Sequence, residues 1–329
     1  MAMMQTRRRL LGGMALAIPA AALPLRRTAA LEPSPETTTV RLARQPIICF
    51  APQYVFEELL RAEGFTEIRY VDVAIQATDE DLGRGQVDFA SSLTLLHVIA
   101  IDAGHQITIV TGVHAGCYEL FAHNGIRAIT DLKGRSVGTL APPLISMMAA
   151  WVGLDPRKDL RFVSDSAANP LELFAQGKLD AYLAQPPEVQ ELHARKVGHV
   201  VLRTAVDRPW SQYFCCALAG NREYVARHPV ATKRVVRALL KAADLCATQP
   251  ERSARLIVDR GFTERYDYAL QTLTDNPYGS WREYDGEDSV RFYALRLHEL
   301  GMIKRDPKRI LAEGTDFRPF NELKRELKA

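Results

Sequence analysis

Strand-like and helical runs alternate through the first two-thirds of the chain, in two rounds that share an internal signature. Gly85-Gln86-Val87-Asp88-Phe89 in the first round is echoed by Gly177-Lys178-Leu179-Asp180-Ala181 in the second. Each follows a short helical run and leads into a strand. Alternation of this kind predicts a mainly parallel sheet covered by helices on both faces. Its repetition predicts an α/β fold of two similar lobes facing each other. In the first round, strands are expected at 37–42, 68–73, 89–90 and 107–110. Helices are expected after Pro52, from Asp79 and over 93–103, with Gly64 and Gly104 as stops. In the second, strands fall at 136–138, 160–163, 181–183 and 200–202, and helices follow Pro142-Pro143, Asn169-Pro170 and Pro186-Pro187.

From Asn221 the pattern turns helical. Residues 230–247 form an amphipathic run with Val235, Ala238, Leu239, Ala242 and Leu245 on its apolar side. Further helices are expected from Pro250, over 285–300 and over 320–327. These helices need a sheet to cover, so the chain must return to its first lobe. Residues 111–124 and 208–220 are the crossing segments. The expected organisation is 38–112 for the first part of lobe 1, 113–215 for lobe 2, and 216–329 for the return and the C-terminal helices.

The first thirty residues differ from the rest. They hold five arginines (Arg7, Arg8, Arg9, Arg26, Arg27), no lysine and no acidic residue, followed by a mildly apolar stretch over 10–25. That stretch is too short to span a bilayer. A basic start, an apolar middle and small residues before Leu31 describe a cleavable export signal, and the twin arginine points to the Tat route. Cleavage could follow Ala22 or Ala30. The leader carries +5 of a formal net charge of +3, so the remainder is about −2. No basic face for nucleic acid and no polybasic membrane patch is implied. A soluble monomer in the periplasm is the expectation.

Five cysteines (Cys49, Cys117, Cys215, Cys216, Cys246) form no CxxC and no regular spacing. A Cys49–Cys117 bridge is conceivable on sequence alone. Adjacent Cys215 and Cys216 have no further Cys or His close in sequence, too few for a metal site, and read as packed strand residues. No His-Glu-x-x-His, Gly-x-Ser-x-Gly, P-loop or Gly-x-Gly-x-x-Gly occurs. The expectation is a protein without catalytic residues, metal or cofactor.

Leu132-Lys133-Gly134-Arg135-Ser136-Val137-Gly138, the Gly-x-φ-Asp strands and the run from Arg208-Pro209-Trp210 to Asn221-Arg222 resemble the substrate-binding proteins of nitrate/sulfonate/taurine-type ABC importers. That family also includes binders of thiamine-pyrimidine precursors. The resemblance covers roughly residues 38–327. It implies a two-lobed type II periplasmic binding fold that holds a small organic or anionic solute and delivers it to an ABC permease. One departure is visible: Thr139-Leu140-Ala141-Pro142-Pro143 stands where relatives carry a glycine-rich loop that touches ligand. The alternatives are a pyrimidine-precursor enzyme of the same fold and a periplasmic sensor subunit.

Open α/β sheets bind ligands at the carboxyl ends of their strands. Those ends supply the candidate contacts Arg44, Gln45, Ser91, Ser92, Thr139 and Gln185. Several precede helices, whose N-termini suit an anion. Ser91 and Ser92 can equally be helix N-caps, and Arg44 a surface residue. Among hinge aromatics, Tyr118, Trp210 and Tyr213 could stack on or hydrogen-bond a ligand, with Tyr213 favoured. His97 reads as a core residue and His114 as the histidine to inspect at the crossover.

Overall fold

In the computed structural model, which describes residues 32–163 and 169–327, ten strands form two five-stranded sheets. The expected export leader lies outside the described residues. β1 (Thr39–Arg44), β2 (Glu67–Asp72), β3 (Phe89–Leu93), β4 (Ile107–Ala115) and, much later, β10 (Phe214–Asn221) make the first sheet, in the order β2-β1-β3-β10-β4. β5 (Glu119–Ala122), β6 (Arg135–Thr139), β7 (Leu160–Phe162), β8 (Ala181–Ala184) and β9 (His199–Arg203) make the second, in the order β7-β6-β8-β5-β9. In each sheet the fourth strand is the antiparallel one: β10 runs against β3 and β4, and β5 against β8 and β9. Each is the strand on which the chain enters from the other sheet.

The Gly-x-φ-Asp echo has one physical job in both sheets. Asp88 Oδ2 accepts the Arg41 N–H at 2.7 Å, and Asp180 Oδ2 accepts the Ser136 N–H at 2.7 Å. The aspartate N–H groups return the bond, to Arg41 O at 2.8 Å and Ser136 O at 3.1 Å. Each aspartate therefore clamps the start of its strand onto the neighbouring parallel strand. The glycine opening each echo sits at φ +72°, a left-handed turn that glycine adopts without strain.

The inner strand β3 and the edge strand β4, which C-terminal helices cover, are buried at every position, whereas the opposite edge strand β2 is half-exposed. The helix Pro229–Thr248 buries Val235, Ala238, Leu239 and Ala242 against the first sheet's helices and β4. Cys246 rather than Leu245 completes its buried side. Helices Gly286–Glu299 and Pro307–Gly314 cover the same sheet, and Thr315 bridges to Ile109. Two helices, Tyr266–Asp275 and Pro307–Gly314, were not separately expected from the sequence. Among the described residues no helix is long and apolar enough to cross a membrane.

Candidate functional site

The carboxyl ends of β1, β3, β6 and β8 converge on a narrow cleft between the sheets. Its walls are apolar: Ile47, Phe50, Ile75, Leu93, Leu96 and Leu140. Its polar groups are the amides of Gln45 and Gln185, the Tyr118 phenol, the Ser92 hydroxyl and the thiols of Cys49 and Cys216. Among the described residues no charged side chain lines it.

The two amides and the phenol are held by their surroundings. Gln45 is buried; its side-chain amide donates to the Thr78 hydroxyl and its backbone carbonyl accepts from Tyr54 Oη at 2.6 Å. Tyr118 Oη donates to Gln185 Oε1 at 2.5 Å, tying the crossover to the end of β8. That bond uses the Gln185 carbonyl and leaves its amide N–H groups without a partner among the described residues. Burial, with the neighbouring cysteine sulfurs adding to it, pushes the Tyr118 phenol well above its ordinary range, so it stays a neutral donor. Ser92 Oγ makes no hydrogen bond among the described residues.

The sequence-derived candidates divide. Gln45, Ser92 and Gln185 line the cleft, while four others are used elsewhere. Ser91 is wholly buried, and its hydroxyl and N–H both go to Gln53 Oε1, at 2.7 and 2.9 Å. Neither serine caps a helix, because β3 continues to Leu93 and the cap there has no side-chain bond. Arg44 donates to Gly261 O at 2.7 Å and lies over the Phe262 ring, drawn away from the cleft by those partners. Thr139 Oγ1 is spent on Leu183 O and the Ala141 N–H, shaping the turn after β6. Tyr213 stacks flat on Phe292, ring centroids 4.0 Å apart. Trp210 is buried edge-on against the same Phe292. His97 is buried, bonded to Asp79 at 2.6 Å and Ala217 O at 3.2 Å.

Two of the helix N-termini at the cleft are poor anion sites. Helix Pro142–Trp151 begins with two prolines that have no N–H, and its next N–H, from Leu144, is taken by Ala141 O. Helix Glu188–Arg195 follows Pro186-Pro187, and its first-turn Glu188 carboxylate already accepts the Gln185 N–H at 3.3 Å. Partial burial pushes the Glu188 carboxyl above its ordinary value, against the bonds from Tyr182 and Gln185.

Beneath the cleft lies a buried group that no short spacing could reveal. One ligand atom from each of Cys49, His114, Cys117 and Cys216 falls within 4.8 Å of the others. Cys215 Sγ is 3.9 Å from Cys117 Sγ. Burial pushes the Cys49 thiol up, but contacts with the Cys117 and Cys216 sulfurs and with His114 outweigh it and hold it well below the ordinary thiol range. Burial likewise opposes protonated His114, and the Cys49 and Cys215 sulfurs and the Gly116 carbonyl overcome it, raising its pKa.

Two sheets with exchanged antiparallel strands and a cleft at their strand ends define a two-lobed type II solute-binding fold. Solved structures share it. The periplasmic nitrate-binding protein NrtA from Synechocystis PCC 6803 superposes with a TM-score of 0.72 at 16% identity, over 90% of each chain. The alkanesulfonate-binding protein SsuA from Xanthomonas axonopodis gives 0.64 at 19% identity, over 84% of this chain and 96% of that one. These neighbours are binding proteins. The chain belongs to the NMT1/THI5-like family, whose model matches residues 61–253, more than half its length. A Brucella abortus relative named as a binding protein is 25% identical over 138 residues. The match spans 41% of this chain and 43% of that relative.

Proposed function

We propose that the protein is the solute-binding component of an ABC importer, exported through its Tat-type leader, that captures a small uncharged organic solute and passes it unchanged to a membrane permease. The observation that carries this reading is the cleft lining: apolar walls with two amides, a phenol and a hydroxyl, and no charged side chain among the described residues. Such a combination suits a compact solute with a flat apolar body and a few hydrogen-bonding edges. An anion such as nitrate or a sulfonate needs a cation or free helix N–H groups, and the prolines and Glu188 remove these at two helix ends. The family fold and the binding-protein neighbours support a carrier rather than a catalyst. Gln45, Ser92, Tyr118 and Gln185 are the proposed contacts.

A melting-temperature screen tests this reading. At about 100 times its dissociation constant, a solute that binds only the folded state adds roughly 2.7 kcal/mol, which raises the melting temperature of a chain this size by roughly 4 °C. The rise should come from uncharged heterocycles and amides and be absent with nitrate, alkanesulfonates and taurine. A rise with the anions alone would overturn the uncharged-solute reading.

A further inference from the structure

Four side chains scattered over the sequence converge beneath the cleft. Cys49 lies in the turn after β1, His114 on β4, Cys117 on the crossover that follows, and Cys216 on β10. All four are buried. The sheet places Cys216 directly opposite His114, with a register shift that puts Cys215 out of step. Such irregularities re-aim side chains locally.

His114 supplies the second observation. Its Nδ1 donates to Gly116 O at 2.8 Å, which leaves the lone pair on Nε2. That Nε2 is buried without a hydrogen-bond partner among the described residues, close to the three sulfurs. A buried, unpaired ring nitrogen is costly. A histidine whose other nitrogen is held by a carbonyl is also oriented as metal-ligating histidines are. Gly116 makes this possible: its φ is +59°, and a Cβ there would meet the Ala205 backbone at 2.2 Å.

We propose that Cys49, His114, Cys117 and Cys216 form a tetrahedral site for a thiophilic divalent cation, Zn(II). Bonds of about 2.3 Å to sulfur and 2.0–2.1 Å to nitrogen set ligand atoms roughly 3.5–3.8 Å apart. The present separations of at most 4.8 Å close to that by small side-chain rotations. Charge selects the metal. Three thiolates and a divalent ion leave a single negative charge in a buried place, where a monovalent ion would leave two. Cys215 is placed to donate its S–H to the Cys117 sulfur and spread that charge. Loading releases the ligand thiol protons to solvent. Cys49 and Cys216 also line the cleft, so the ion would brace its floor.

The site is independent of the solute, and so is its test. The reduced full chain is titrated with Co(II), a spectroscopic stand-in for Zn(II). One equivalent should give sulfur-to-cobalt charge transfer and the intense visible bands of tetrahedral coordination. Zn(II) should then bleach both, raise the melting temperature and protect three of the five thiols from alkylation. Cys216→Ser and His114→Gln should each weaken Co(II) binding by more than the roughly 10- to 100-fold typical of losing an outer-shell partner. Cys246→Ser, away from the cluster, should bind as the parent does. Absence of the cobalt spectrum in the reduced parent chain would overturn the proposal. So would a Cys117–Cys215 disulfide that forms in air despite saturating Zn(II).

Discussion

Gln185 and Tyr118 act as one unit, because the phenol fixes the amide's carbonyl and leaves its N–H groups without a partner among the described residues. Losing a hydrogen bond to a neutral ligand group costs about 0.5–1.5 kcal/mol. Gln185→Ala and Ser92→Ala should therefore weaken solute binding by roughly three- to ten-fold in calorimetric titrations. Thr139→Ala and Tyr213→Phe should leave affinity unchanged, since those side chains serve the turn after β6 and the Phe292 stack. Glu188 offers a pH test. Its carboxyl is raised above 4.5 by burial, so the folded state holds that proton more tightly than the unfolded chain. Its contribution is full below the unfolded value and is lost as pH rises through the folded one. Denaturant midpoints followed between about pH 4 and 8 should fall for the parent relative to Glu188→Gln. Gln45, Ser92 and Gln185 could be placed at the cleft from the sequence because loops at strand ends are visible in an α/β pattern. Arg44, Ser91, Thr139 and Tyr213 are instead engaged by hydrogen-bond and stacking partners that only the folded chain brings to them. The cysteine cluster stayed hidden for the same reason: its members run from position 49 to 216 and meet only once β10 returns to the first sheet.

At the scale of elements, the two sheets use the same joint. Gly85 and Gly177 share φ +72°, and an added Cβ meets nothing within 4 Å at Gly177 and only the Asn221 amide at 3.7 Å at Gly85. Alanine at either position would be strained by its backbone alone, a cost of about 1–2 kcal/mol. Chemical denaturation should report similar losses for Gly85→Ala and Gly177→Ala, and a much larger one for Gly116→Ala, where strain adds to a backbone clash. Asp180→Ala should cost roughly 1.5–3 kcal/mol by removing charge-assisted bonds to the Ser136 N–H and hydroxyl, less to the extent that water replaces them. Elements of this kind were legible because glycine stops, proline starts and the paired aspartates are local signals. The antiparallel entry of β5 and β10 was not, since strand direction depends on the path between sheets rather than on any run of residues.

On the scale of the whole molecule, two crossings join the sheets, one through Gly116–Tyr118 and one between β9 and β10. Proposed contacts divide between them: Gln45 and Ser92 follow or end strands of the first sheet, Gln185 follows β8 of the second, and Tyr118 stands on the crossover. A solute that touches both sides gains more from the closed arrangement than from an open one, and so shifts the population towards closure. Small-angle X-ray scattering of the purified protein, with and without the uncharged solute that most raises its melting temperature, tests this directly. The account predicts a smaller radius of gyration with solute, reached in Gln185→Ala only at a roughly three- to ten-fold higher solute concentration, and solute recovered chemically unchanged. An unaltered radius at saturating solute, or a solute recovered as a different compound, would contradict it.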